Sequence, residues 1–279
     1  MEIDIIILFY NKVDQTISCV NSFLSSGQRI YILNNGSDVA QLNKLKNTFE
    51  GISHVFILDA GKNLGVSGGR NYLLEKTNSP WIFSVDNDIV VQNNIGWIDD
   101  LESFCSLNPE VKIITPNLFN VHESDYSPQI NVKIENNKLT LVTGDFPVSN
   151  CFPGGAVIVH RSIFENYGLF DEDMFVGFED YEFALRALLS TKGPLEVYAF
   201  DNIKLIHDHQ FQKKNKDKIA VRERYNEVRM KASYECLVNK YNIAFDHDWH
   251  WWTTNQLAIM TTPKLILRIK QKISNILNR

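Results

Sequence analysis

Two carboxylates one residue apart, Asp86-Asn87-Asp88, follow directly on the apolar run WIFSV at residues 81–85. Side chains in that spacing can address one divalent cation together with the phosphate oxygens it neutralises. Hard oxygen ligands of this kind suit magnesium or manganese. The same tripeptide also suits a turn held by Asx hydrogen bonds. A second acidic pair, Glu179-Asp180, stands before a helical pattern that carries Glu182 and Arg186. A carboxylate there can serve as a general base towards a hydroxyl, or it can answer the positive end of a helix dipole. His207-Asp208-His209 closes the apolar run NIKLI. Residues i and i+2 of a strand share a face, so both imidazoles can meet one metal or phosphate.

A fourth feature competes for attention. Gly65-Val66-Ser67-Gly68-Gly69 fits the G-x-S-x-G pattern of a hydrolase elbow, and Asp180 and His207 follow Ser67 in nucleophile, acid, base order. The elbow needs its serine in a sharp turn directly after a strand, whereas Asp59 to Leu64 intervene here after HVFIL. A serine hydrolase also leaves Asp86-Asn87-Asp88 and Glu179 without a role. The glycines are better read as letting backbone pass close to a nucleotide at a strand end, with Arg70 as a contact. Asn71 then opens the helix NYLLEK.

These groups need a frame. Residues 3–10 form a continuous apolar run, the pattern of a strand buried on both faces. A helical stretch follows, with Val13, Ile17, Val20 and Leu24 on one face, ending near Gly27. Strands are expected at 29–33, 54–58 and 81–85, with a helix at about 38–49 and the turn Asn34-Asn35-Gly36-Ser37 between. This alternation predicts a parallel α/β sheet with right-handed crossovers, and ligands then bind beyond the carboxyl ends of the strands. Further on come a short strand KIITP, a polar irregular stretch at 117–150 containing the strand LTLV, and a strand at 154–160. SIFENYG begins a helix ending at Gly168. Another helix is expected at about 180–190, strands at 196–200 and 202–209, and a helix at about 219–240.

Composition narrows the class. With 279 residues, 44% hydrophobic and 22% charged, the chain can bury a full core. A net charge of -5 excludes a general nucleic-acid binder. Cys19, Cys105, Cys151 and Cys236 are far apart with no CxxC pair, so neither a disulfide framework nor a thiolate zinc site is expected. The N-terminus has acids before its short apolar run, unlike a signal peptide, and no apolar stretch reaches the roughly 18 residues of a membrane span. A reduced, cytoplasmic protein follows from these features.

Taken in order, the segments IIILFYN, LNNGSD, NLGVSGGRN, VDND, the block PGGAVIVHRSIFENYGLFDEDMFVGFEDYEFALR and LIHDH resemble the inverting family 2 glycosyltransferases, close to bacterial rhamnosyltransferase-like enzymes of polysaccharide biosynthesis. The resemblance covers residues 1–210. It implies a GT-A fold, a Rossmann-like and mostly parallel central sheet flanked by helices. It also implies metal-dependent, inverting transfer of a sugar from a nucleotide-diphosphate donor, with a UDP-sugar favoured, to a glycan or lipid-linked hydroxyl. On this resemblance Asp88 is the direct metal ligand, and Asp86 contacts metal or ribose. His207, or His209 in its place, completes the shell around manganese or magnesium. Asp180 is the base, with Glu179 as second choice. Phe9, Asn11, Asn34 and Arg70 fall where the family lines its nucleotide pocket, and Gly154-Gly155 where backbone nears the donor and acceptor sugars. One departure stands out: many relatives carry an aspartate that contacts the base at the position of Asn34. A binding module without turnover is the remaining alternative on the same fold.

Residues 211–279 lie beyond the resemblance and are expected to form a basic loop and a helical extension. QKKNKDK at 212–218 reads as a lid over the diphosphate or as a solvated charge run. At 263–279, Ile266, Ile269, Ile273 and Ile276 recur at helical spacing among Lys264, Arg268, Lys270, Lys272 and Arg279. With WHWWTT at 249–254 nearby, such a basic amphipathic helix suits the anionic inner face of the cell membrane. Packing on its own domain and a homodimer contact are the alternatives.

Overall fold

The computed structural model describes residues 1–92, 96–121, 123–208, 226–245 and 250. The apolar runs become strands: β1 (Ile3–Phe9), β2 (Arg29–Asn34), β3 (Val55–Asp59) and β4 (Trp81–Asp86). Helices α1 (Val13–Phe23), α2 (Val39–Thr48) and α3 (Gly65–Lys76) connect them. β1 pairs in parallel with β2 and β4, and β2 with β3. Alternate side chains of these strands serve two cores, one on each face of the sheet. Ile5, Ile7 and Phe9 join the layer containing Val20 and Phe23 of α1, while Ile6 joins the layer containing Leu73 and Leu74 of α3.

The second half of the sheet is mixed. β5 (Ile89–Val91), α4 (Trp97–Leu107) and β6 (Ile113–Asn120) follow β4. The stretch expected to be irregular at 117–150 is instead largely β-structure. β6 runs on to Asn120, and β7 (Asp125–Tyr126), β8 (Gln129–Glu135), β9 (Lys138–Gly144) and β10 (Val148–Ser149) come after it. β8 and β9 form a hairpin, and the two turn residues Asn136 and Asn137 both take positive φ, at 51 and 58. That is the twist a two-residue hairpin turn demands, and asparagine tolerates it. β11 (Ala156–His160) lies antiparallel between β4 and β6, and α5 (Ser162–Tyr167) and α6 (Glu179–Leu188) come next.

The two strands expected at 196–209 are one, β12 (Val197–His207), running parallel to β6 with an irregularity between Phe200 and Lys204. The main ten-stranded sheet has the order β10-β12-β6-β11-β4-β1-β2-β3, with β5 added beside β12 and β7 beside β6. α7 (Glu227–Tyr241) takes up the later part of the helix expected at 219–240, and β13 (Ala244–Phe245) adds to β9. Met230 and Leu237 of α7 and Phe245 of β13 pack into the core layer that also holds α3 and α6. No disulfide joins the four cysteines. Among the described residues no helix is long and apolar enough to cross a membrane. The stretches 212–218, 251–254 and 263–279, and His209, lie outside the described residues.

The glycine-rich segment differs most from the sequence reading. It is not a loop before a helix that opens at Asn71, because α3 already begins at Gly65 and contains Ser67, Gly68 and Gly69. Glycine weakens a helix, so its presence here has a packing cause. A Cβ on Gly69 would stand 2.8 Å from Leu8 Cδ2, and one on Gly65, at φ +77, would stand 2.5 Å from the Phe175 carbonyl oxygen. The glycines let α3 lie close against β1 and against the chain leading to α6. Asn71, inside the helix, holds that chain through Nδ2–H to Phe170 O at 2.9 Å and through the Phe170 N–H to Oδ1 at 3.0 Å.

Candidate active site

Ser67 lies inside α3, away from the turn a hydrolase elbow needs. It is fully buried, and its hydroxyl donates to Met174 O at 2.8 Å, so it fastens α3 to the segment before α6 and is not a nucleophile.

Asp86 ends β4 and Asp88 follows it, with Asn87 between them turned away to donate to Thr16 Oγ1 of α1 at 2.9 Å. That arrangement leaves the two carboxylates to one side. β5 then pairs antiparallel with the end of β12, setting His207 opposite Ile89 and so beside Asp88. His207 Nε2 lies 3.1 Å from Asp88 Oδ1, and its Nδ1 lies 3.1 Å from Asn120 Oδ1. The ligating atoms of Asp86, Asp88 and His207 all fall within 4.8 Å of one another. Two carboxylates and an imidazole at that spacing fit one divalent cation with a small closure, since such bonds run at about 2.0–2.6 Å. Asn120 on the far ring nitrogen supplies the outer partner that orients a ligating histidine.

Sequence reasoning missed Lys12, whose Nζ lies 3.2 Å from Asp88 Oδ2. Its chain is largely buried, so a cation is held beside the carboxylates. The available signal was its place directly after the β1 terminus, where ligands of such sheets bind.

The second acidic pair opens α6. Gly177 and Phe178 are both left-handed, at φ 74 and 68, and the Phe178 ring is buried against Tyr181, Tyr234 and Phe245. A bulky residue in that region costs about 1–2 kcal/mol, which the surrounding rings hold in place. The kink delivers Glu179 and Asp180 at the helix N-terminus. Asp180 accepts the Tyr181 N–H at 2.9 Å and the Gly154 N–H at 3.3 Å. Part of it still meets solvent, but protein surrounds the carboxyl. Burial, then the neighbouring Glu179 charge, push its pKa up to about 7, against the pull of those N–H groups and of Arg70. Burial and the same carboxylates raise the Cys151 thiol, so it stays protonated.

Arg70 of α3 joins the two clusters. Nη1 bonds Glu179 Oε1 at 2.9 Å, Nη2 donates to Gly154 O, and Nη2 lies 3.6 Å from Asp86 Oδ1. Gly154 packs closely here: a Cβ would stand 3.1 Å from Glu179 Oε1, a tight approach that the carboxylate would have to relieve by a small shift. Gly155 O accepts the Asp86 N–H at 2.8 Å, tying β11 to the acidic turn.

The remaining expected residues sit at the carboxyl ends of β1 and β2. The Phe9 ring is fully buried in the core, and Phe9 offers the site only its carbonyl, which the Asn35 N–H takes at 2.9 Å and the Ser37 hydroxyl at 3.2 Å. Asn11, at φ 51, accepts the Asp38 N–H at 2.9 Å and shapes the turn after β1. Asn34 is buried and bonds Asp59.

Comparison with known proteins accords with this geometry. Residues 4–168 match the family described as Glycosyl transferase family 2. The dTDP-rhamnosyl transferase RfbF of Shigella flexneri is 29% identical over 170 residues, covering 58% of this chain and 55% of that protein. A protein of Haemophilus influenzae without assigned function is 27% identical over 114 residues, covering 40% of this chain and 61% of its own length. The match thus spans little more than half of each of these curated relatives. In three dimensions the chain is similar to GalNAc-T7 solved with UDP, GalNAc and Mn2+ (TM-score 0.60, 13% identity, 94% of this chain and 57% of that one). It is also similar to residues 1–349 of S. aureus TarS in complex with UDP-GlcNAc (TM-score 0.57, 12% identity, 88% and 74%). These likenesses show the fold as GT-A. With the family matched over more than half its length, the chain belongs to glycosyl transferase family 2.

Proposed function

We propose that this enzyme transfers a sugar, with inversion, from a uridine or thymidine diphosphate donor to a hydroxyl of a glycan or lipid-linked acceptor. The observation that carries the reading is the meeting of the Asp86, Asp88 and His207 cluster with Glu179 and Asp180 through the single guanidinium of Arg70.

Asp86, Asp88 and His207 would hold a divalent cation, manganese or magnesium, which when bound supplies positive charge against the departing diphosphate. Lys12 and Arg70 bring fixed positive charge to the same place, where it costs no reorganisation during the reaction. Asp180 takes the proton of the acceptor hydroxyl as its oxygen bonds the anomeric carbon, and the carbon–oxygen bond to the diphosphate breaks with its electron pair leaving on oxygen. A carboxyl with a pKa near 7 is well matched to that task. Glu179, paired with Arg70, holds the guanidinium and keeps the Asp180 pKa high. Gly154 and Gly155 let backbone approach the sugars.

Nucleotide release from a panel of UDP-, dTDP-, GDP- and CDP-sugars, with manganese and with EDTA, tests the reading. Metal-dependent release of UDP or dTDP is expected. Absence of release from every donor, across glycan and polyprenyl-phosphate acceptors, would contradict it and favour a silent binding module.

A further inference from the structure

Asn120 ends β6 where that strand runs beside β12. The parallel register sets Asn120 opposite His207, so the two side chains leave the same face of the sheet. The Val121 N–H donates to His207 O at 3.1 Å, which fixes the two backbones to each other just past that pair. On its other side β6 turns back into β7, with Asn120 opposite Asp125 and the Phe119 and Tyr126 rings packed edge to face at 5.2 Å. The Ser124 N–H closes the turn onto Asn120 O at 2.9 Å, and the Ser127 N–H bonds Leu118 O at 2.8 Å. This hairpin brings Ser127 and Glu123 round to the Asn120 amide. Nδ2 donates to Ser127 Oγ at 2.8 Å and to Glu123 Oε2 at 3.4 Å.

An ionised carboxylate only accepts, so the amide nitrogen faces Glu123 and the amide oxygen faces the imidazole. His207 Nδ1, 3.1 Å from Asn120 Oδ1, then carries a hydrogen and donates it. We propose that Asn120, held by the β6–β7 hairpin, is a positioning residue of the metal site: it takes the Nδ1 hydrogen of His207 and so turns Nε2 to the cation. The inference rests on the reading of Asp86, Asp88 and His207 as ligands of a divalent cation, and adds the hairpin that decides which imidazole nitrogen serves. Nε2 lies 3.1 Å from Asp88 Oδ1, close to the spacing of neighbouring ligands on one cation when each bond is about 2.1 Å. Without the Asn120 acceptor, either ring nitrogen could carry the hydrogen and the ring would lose its outer anchor. An amide supplies that anchor without adding charge to a site from which the product diphosphate must leave.

Electron paramagnetic resonance of free manganese, titrated into the full chain with and without UDP, tests it. The proteins are wild type, Asn120→Ala, Asn120→Asp, His207→Ala and the double variant Asn120→Ala/His207→Ala. Asn120→Ala should weaken manganese binding by about 10- to 100-fold, the range for losing the outer partner of a ligand. In the His207→Ala background the same change should cost nothing further, because Asn120 acts through the imidazole. Asn120→Asp, whose carboxylate accepts the same hydrogen, should bind manganese at least as tightly as wild type. A purely structural role of Asn120 would cost as much in both backgrounds and would not be rescued by aspartate. Equal losses in the two backgrounds, no recovery in Asn120→Asp, or wild-type binding in Asn120→Ala overturns the role of Asn120. A wild type that takes up no manganese, alone or with UDP, overturns the metal site on which that role rests.

Discussion

Tyr181 and Gly154 each aim a backbone N–H at Asp180, yet burial and the Glu179 charge still hold its carboxyl near pH 7. With Asp180 as the proposed base, the ionised carboxylate is the competent form, so kcat/KM should fall on the acid side with an inflection near pH 7. Glu179→Gln removes the negative neighbour, so the inflection should move to lower pH; an unmoved limb in a pH–rate series would assign it to another group. The stability effect has its own sign. A carboxyl whose folded pKa exceeds the ordinary 3.8 favours the fold in its neutral form, and that contribution is lost as pH rises through about 7. Asp180→Asn stays neutral, so urea titrations should show its stability gaining on wild type between pH 4 and 8. The same variant should lose about 10²- to 10⁴-fold in turnover while still binding the nucleotide. Asp86, Asp88, Glu179, Asp180 and His207 were legible because each stands at a strand or helix end, where sequence pattern marks the boundary. Lys12 was not, since its contact is with a carboxylate 76 residues away that only the fold brings beside it.

Among the elements, α6 carries the acidic pair and α7 braces it. Glu182, one turn into α6, is fully buried and accepts from Arg186 at 3.0 Å, Lys240 at 2.9 Å and the Tyr241 hydroxyl at 2.6 Å. Glu182→Ala leaves those cationic partners beside an uncompensated gap and should cost about 3–5 kcal/mol in urea unfolding. A cost under about 1 kcal/mol would show that α7 does not depend on it. Gly65→Ala meets both a left-handed backbone and the Phe175 carbonyl, which cannot swing aside as a side chain can. It should destabilise by more than the roughly 1–2 kcal/mol of the backbone conformation alone. The strands β1 to β4 were readable from apolar runs because burial on both faces leaves no other pattern. The helical course of Gly65 to Arg70 was not, because glycine's poor propensity is overridden by close packing that only the fold reveals. The hairpin β8–β9 was readable in principle: Ile130, Val132 and Ile134 alternate, and Asn136-Asn137 marks the turn.

At the scale of the whole molecule, the sheet brings residues from β1, β4, α3, α6 and β12 to one edge, and the overall α/β class followed from strand–helix alternation alone. The antiparallel insertion of β11 did not, since its apolar run GGAVIVH reads the same in either direction of pairing. The basic isoleucine repeat at 263–279 belongs to this scale as well: removing it should reduce sedimentation with phosphatidylserine or cardiolipin liposomes, and equal sedimentation of the truncated chain would assign it to packing or self-association. In the proposed function the acidic turn and His207 bind a nucleotide diphosphate through a divalent cation. Its most direct test is calorimetric titration of UDP and dTDP into wild type and Asp88→Asn, with manganese and with EDTA. Nucleotide binding to wild type should need manganese and be lost, or weakened at least about tenfold, in Asp88→Asn. Binding of equal strength in EDTA, or in the variant, would contradict it.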